Sequence, residues 1–160
     1  MSSTRARRAR VDMSLRRSFP ALQIAADIAA WAVAIPFATV LRYDFVLGKP
    51  NWTGVLLMVA LAAVLQVAIG AALGLYRRRY HYGSFDEMRV VAGSVALVGL
   101  VLFTVATIDG GALVPRSVPV LAAFLALVIA AGIRYTARLL EERHLRPAGH
   151  LSQPLVVIGA

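Results

Sequence analysis

Four long apolar runs divide the chain, and they decide what it can fold into. The first extends from Phe19 to Leu41 and is interrupted only by Gln23, Asp27 and Thr39. The second, Trp52 to Tyr76, has Gln66 as its one strongly polar residue. The third spans Val90 to Ile108. The fourth spans Val114 to Ile133, with Arg116 near its start, and continues as a charged helix through Arg134, Arg138 and Arg143. Each run holds about 19–25 residues, and at about 1.5 Å per residue such a helix crosses a hydrocarbon core roughly 30 Å thick. An isolated spanning segment must pair every backbone N–H and C=O internally, which selects helix. A membrane β-barrel needs alternating polarity, and these runs lack it. A water-soluble bundle needs a polar outer face on each helix, and they lack that as well.

Composition agrees. Hydrophobic residues make up 59% of the 160, above the roughly 45–50% of a soluble domain. That content also excludes an intrinsically disordered chain. The formal net charge is +9, which in a soluble domain would point to nucleic acid. Here the cations are segregated from the apolar runs. Arg5, Arg7, Arg8, Arg10, Arg16 and Arg17 precede the first run. Arg77, Arg78, Arg79 and Arg89 follow the second, and Arg134, Arg138, Arg143 and Arg146 close the fourth. These fourteen fall on one side of the membrane, against Arg42, Lys49 and Arg116 on the other. The asymmetry predicts that both termini are cytoplasmic. The outer connections, around 43–51 and 109–115, are short. Arg16-Arg17-Ser18-Phe19 loosely matches a twin-arginine signal, but the first run is longer than a signal core and contains Asp27. The arginines are read as setting topology. There is no cysteine, hence no disulfide, thiolate ligand or cysteine nucleophile.

The expected fold is thus an all-α membrane protein, a four-transmembrane-helix bundle with spans at about 19–41, 52–76, 90–108 and 115–138. A basic cytoplasmic tail, 1–18, precedes the transmembrane domain, 19–143. Within the spans, an ionised Asp27 costs a few kcal/mol on insertion scales unless it faces the bundle and finds a partner. Arg134 lies at similar depth in the fourth span, so an Asp27–Arg134 pair is expected, direct or through water. A single carboxylate makes a poor transport pathway, so the pair is read as structural rather than as a proton or substrate relay. Gln66, Ser94, Thr104 and Thr107 should hydrogen-bond between helices or back to their own helix. Gly70 and Gly74 form a small-xxx-small pair that permits close helix approach. Trp31 reads as a packing residue, and Tyr43, Trp52 and Tyr76 as interfacial anchors. His81, His144 and His150 are scattered without ligand spacing, so no metal site is expected.

The connection RRRYHYGSFDEMR, from Arg77 to Arg89, carries cations that can hold it against anionic headgroups, each worth about 1 kcal/mol. A specific lipid or polyprenyl-phosphate contact would fall on Arg77, Arg78, Arg79, Tyr80 and Tyr82. Ser84 fits an N-cap of the third helix, with Glu87 at the capping-box position. After a linker, 144–153, residues 154–160 read Pro-Leu-Val-Val-Ile-Gly-Ala. A β-branched run ending in Gly159 is how the first strand of a dinucleotide fold enters its glycine turn. The expectation is a truncated Rossmann-like domain, with the chain an N-terminal fragment of a longer protein.

Together these stretches resemble the membrane-bound polysaccharide biosynthesis proteins of the nucleoside-diphosphate-sugar epimerase/dehydratase family. The residues that carry the likeness are Leu41-Arg42-Tyr43-Asp44, Gly74-Leu75-Tyr76-Arg77, Tyr80-His81-Tyr82-Gly83-Ser84-Phe85-Asp86-Glu87, Pro115-Arg116-Ser117-Val118, Arg134 to Arg138, and Val156-Val157-Ile158-Gly159-Ala160. The resemblance implies a bacterial inner-membrane anchor for an NAD(P)-dependent enzyme that dehydrates or epimerises a UDP-N-acetylhexosamine. In such enzymes hydride leaves C4 of the sugar, water is eliminated across C5–C6, and hydride returns at C6. The products supply capsule, O-antigen or glycoprotein glycans. The family's Tyr-x-x-x-Lys pair and complete glycine fingerprint are absent, so no catalytic residue is carried over. Cofactor and UDP-sugar would be bound only by further domains. The lipid bilayer, glycan-assembly transferases and a homo-oligomer are the expected partners, and nucleic acid is not. Two alternatives stay open: the membrane domain of a polyprenyl-phosphate sugar-1-phosphate transferase, and a stand-alone membrane scaffold or small transporter.

Overall fold

A computed structural model describes the backbone of residues 3–76 and 85–145, and the side chains of residues 21–76 and 87–140. The described residues form four helices: α1 (Ser3–Arg42), α2 (Trp52–Ala72), α3 (Phe85–Ile108) and α4 (Ser117–Leu145). Each contains a segment long and apolar enough to cross a membrane: Ala21–Arg42, Trp52–Ala72, Glu87–Ile108 and Ser117–Leu140. Each helix packs against its sequence neighbours, and α4 closes the ring on α1. The result is an up-down-up-down bundle. The two short connections meet at one end, where Asn51 Nδ2 donates to the Ala112 carbonyl at 3.2 Å. The start of the first span and the end of the fourth therefore lie together at the opposite end.

Small residues line the interior. Ala30, Ala34, Ala38, Ala62, Ala106, Ala122, Ala126 and Ala130 are all buried. In a bilayer the lipid is as apolar as a leucine core, so helices associate through close van der Waals packing, which small side chains allow. The large side chains Leu22, Leu56, Val64, Phe124 and Val128 point outward instead. A helix apolar on every side suits this inversion. Gly99 marks a close approach of α3 to α4: a β-carbon there would lie 2.8 Å from the Ala123 methyl.

Several boundaries differ from those expected. The basic segment 1–18 is not separate from the first helix, since α1 is continuous from Ser3. The third helix starts at Phe85, the position a Ser84 N-cap implies, and the fourth runs on past its span to Leu145, as expected from the charged continuation through Arg143. The second helix stops at Ala72, short of Tyr76. It ends there because Gly74 takes φ +73. The Leu75 N–H then bonds the Gly70 carbonyl and the Gly74 N–H bonds that of Ala71, a Schellman closure. The α3 end repeats the pattern at Gly110 and Gly111, and α1 repeats it with Asp44 in the glycine position. The expected strand at 154–160, residues 146–153 of the expected 144–153 linker and the side chains of the 1–18 segment lie outside the described residues, while 144 and 145 belong to α4.

Candidate functional site: a buried polar cluster at one end of the bundle

Asp27 sits on the inner face of α1, in helical register with Trp31, Ala34 and Ala38. Arg134 continues the inner row of α4 that runs through Ala122, Ala126 and Ala130. The structure brings the two side chains into direct contact. Arg134 Nη2 lies 2.8 Å from Asp27 Oδ1, an ion-pair contact, and donates a directed hydrogen bond to Oδ2 at 3.0 Å. Its Nη1 donates to the Ala130 carbonyl one turn back, at 3.3 Å. Both side chains are almost wholly buried, at 2% and 3% exposure, so neither head group reaches the outer surface of the bundle.

Two further groups complete the cluster. Arg134 Nε donates to Glu87 Oε1 at 3.3 Å, so one guanidinium bridges carboxylates from α1 and α3. The Tyr76 hydroxyl donates to Asp27 Oδ2 at 3.2 Å and shares its proton with the Gln66 carbonyl at 3.4 Å. A second chain of bonds starts from Gln66. Trp31 Nε1 donates to Gln66 Oε1 at 3.0 Å, and Gln66 Nε2 donates to Ser94 Oγ at 3.2 Å. An indole N–H can only donate, which fixes the amide with its oxygen toward Trp31 and its nitrogen toward Ser94. Ser94 passes its own proton to the Val91 carbonyl at 2.8 Å. The cluster thus binds all four helices together through their buried polar side chains. Unpaired, each such group would cost several kcal/mol in hydrocarbon.

Some sequence expectations need correction. Tyr76 is not an interfacial anchor: the turn at Gly74 folds it back, half-buried, over the end of α2. The Gly70/Gly74 pair does not face another helix. Gly70 leaves room for the Tyr76 ring, and Gly74 makes the turn that brings it there. Trp31 packs in the core and also donates a hydrogen bond. Glu87 directs its carboxylate to Arg134; Ser84, its proposed capping-box partner, lies outside the described residues. The register of Glu87 with Val91, Ser94, Val98 and Leu102 on one face of α3 is the signal that could have found it. Thr104 and Thr107 bond back to Leu100 and Phe103 of their own helix, at 2.8 and 2.7 Å. Arg77, Arg78, Arg79, Tyr80, Tyr82 and Gly159 lie outside the described residues, as do His81 and His150; the side chain of His144 does too.

A β-carbon on Gly70 would lie 2.7 Å from the Tyr76 hydroxyl and 2.8 Å from its ring. Gly70→Ala should therefore push Tyr76 off Asp27 and destabilise the bundle by about 1–3 kcal/mol. The check is unfolding in detergent micelles, with Tyr76→Phe measured alone and in combination. Fully additive losses would show that the two positions do not share this contact.

Four apolar spans around a polar cluster define the class: a multi-pass membrane protein with a helical bundle. No family model, curated protein or solved structure matches the chain.

Proposed function

We propose that the bundle is the membrane anchor of a bacterial polysaccharide biosynthesis enzyme, an NAD(P)-dependent UDP-N-acetylhexosamine 4,6-dehydratase or epimerase. The proposal places it in the cytoplasmic membrane with both chain termini facing the cytoplasm and the 43–51 and 109–115 connections on the outer side. The motif order described above supports the enzyme class, and the fourteen-to-three division of cations supports the orientation. The observation that favours an anchor over a transporter is the cluster itself. Asp27 and Arg134 are engaged with each other and with Glu87 and Tyr76, and they bind helices together. Such an anchor raises the effective concentration of the enzyme beside membrane-bound glycan transferases.

The 160-residue chain alone should not convert UDP-N-acetylglucosamine; turnover by the purified chain would overturn the anchor reading. The reading frame downstream of residue 160 tests the enzyme class. A complete glycine fingerprint followed by Tyr-x-x-x-Lys supports the dehydratase or epimerase. An amphipathic re-entrant helix with an Asp-Glu pair would replace it with the phosphosugar transferase, and an immediate stop codon would replace it with a stand-alone scaffold.

A further inference from the structure

We infer that the α1–α2 connection, residues 43–49, is a membrane-dipping wedge that seats Phe45, Val46 and Leu47 among the lipids at the bilayer boundary. The connection joins spans that end at Arg42 and begin at Trp52, so it lies at the membrane surface. Its apolar side chains face outward: Phe45 is 63% and Leu47 61% exposed. The α3–α4 connection, at the same end, does the opposite. It buries Val114 and half-buries Leu113 against the bundle.

Three observations point to lipid as the occupant. First, the connection pairs five of its seven N–H groups internally, which lowers the cost of placing an irregular segment in an apolar medium. The N–H groups of Tyr43, Asp44, Phe45, Val46 and Lys49 bond the carbonyls of Thr39, Leu41, Val40, Tyr43 and Val46. The Leu47 carbonyl accepts from Trp52 Nε1 at 3.0 Å. Second, the outward surface is continuous along the chain with exposed Leu41 and Leu56, which belong to the spans. Third, exposed Arg42 and Lys49 bracket the apolar tip, complementary to lipid phosphates. The tip is held in a costly shape. Asp44 and Phe45 take φ +51 and +62, a left-handed conformation that non-glycine residues seldom adopt.

The absence of cysteine makes the test direct. Val46→Cys is labelled with an environment-sensitive fluorophore and reconstituted in phosphatidylcholine/phosphatidylglycerol vesicles. Leu56→Cys, on the lipid face of α2, and Ala112→Cys, exposed on the other connection, serve as references. The wedge predicts blue-shifted emission at position 46, quenching by headgroup-proximal nitroxide lipids and protection from aqueous iodide, all relative to position 112. Emission and iodide access at 46 equal to those at 112, with 56 shielded, would overturn the wedge and leave the spans intact. A water-like signal at 56 as well would overturn both.

Discussion

Replacing Arg134 by glutamine should cost the bundle about 3–5 kcal/mol, the loss expected when one partner of a buried ion pair is removed. The reason is geometric. Arg134 contacts Asp27 on α1 and Glu87 on α3 through different nitrogens, so its loss leaves two carboxylates buried without the shared guanidinium. A protein of ordinary stability retains only about 5–15 kcal/mol in total. The variant should therefore unfold at markedly lower denaturant in detergent micelles or resist purification as a folded monomer. Asp27→Asn should be milder, because an asparagine still offers an oxygen to Arg134 and Tyr76. Equal stability of Arg134→Gln and the parent would mean that the cluster does not hold the bundle together. A proton-dependent transport activity lost in Asp27→Asn, with stability unchanged, would favour a relay instead.

The second large effect lies at the opposite end. Gly54 is in the first turn of α2, behind the Asn51 cap, whose side-chain oxygen accepts from the Gly54 N–H at 3.1 Å. A β-carbon at position 54 would come within 2.8 Å of the Leu113 Cα and carbonyl carbon. The obstruction is backbone, so no rotamer change relieves it. Gly54→Ala should push the 109–116 connection away from α2 and strain the Asn51–Ala112 bond. The expected loss is about 1–3 kcal/mol, typical of overpacking at a tight contact. Differential scanning calorimetry in micelles reads it, with Gly93→Ala as control, because a β-carbon there meets nothing within 4 Å. If both alanines shift the transition alike, the close approach at Gly54 is not the cause.

Much of the fold was legible because hydrocarbon imposes a strong constraint. Run length alone locates four spans, and the lack of a polar face excludes a bundle in water. The Asp27–Arg134 contact was legible for a related reason: two ionisable residues at matching depth have few partners other than each other. What could not be read was which side of each helix faces inward. In a soluble helix the polar stripe marks the outside, but here both sides are apolar, and the small residues of the inner face are interspersed with buried Trp31, Ile35 and Leu102. Gln66, Ser94 and Trp31 therefore could not be joined into one chain from spacing alone. Tyr76 was misplaced because Gly74 read as a small residue for helix contact, whereas its positive φ ends the helix and turns Tyr76 inward. The Glu87–Arg134 contact could not be read from the sequence either, because it depends on how α4 packs against α3.

The polar cluster holds the four helices together. The most direct measurement is a double-mutant cycle of Asp27→Asn and Arg134→Gln in lipid bicelles, read as unfolding free energy. A direct buried pair predicts a coupling of about 0.5–3 kcal/mol, with the double variant less damaged than the sum of its parts. Strict additivity of the two losses would contradict the account.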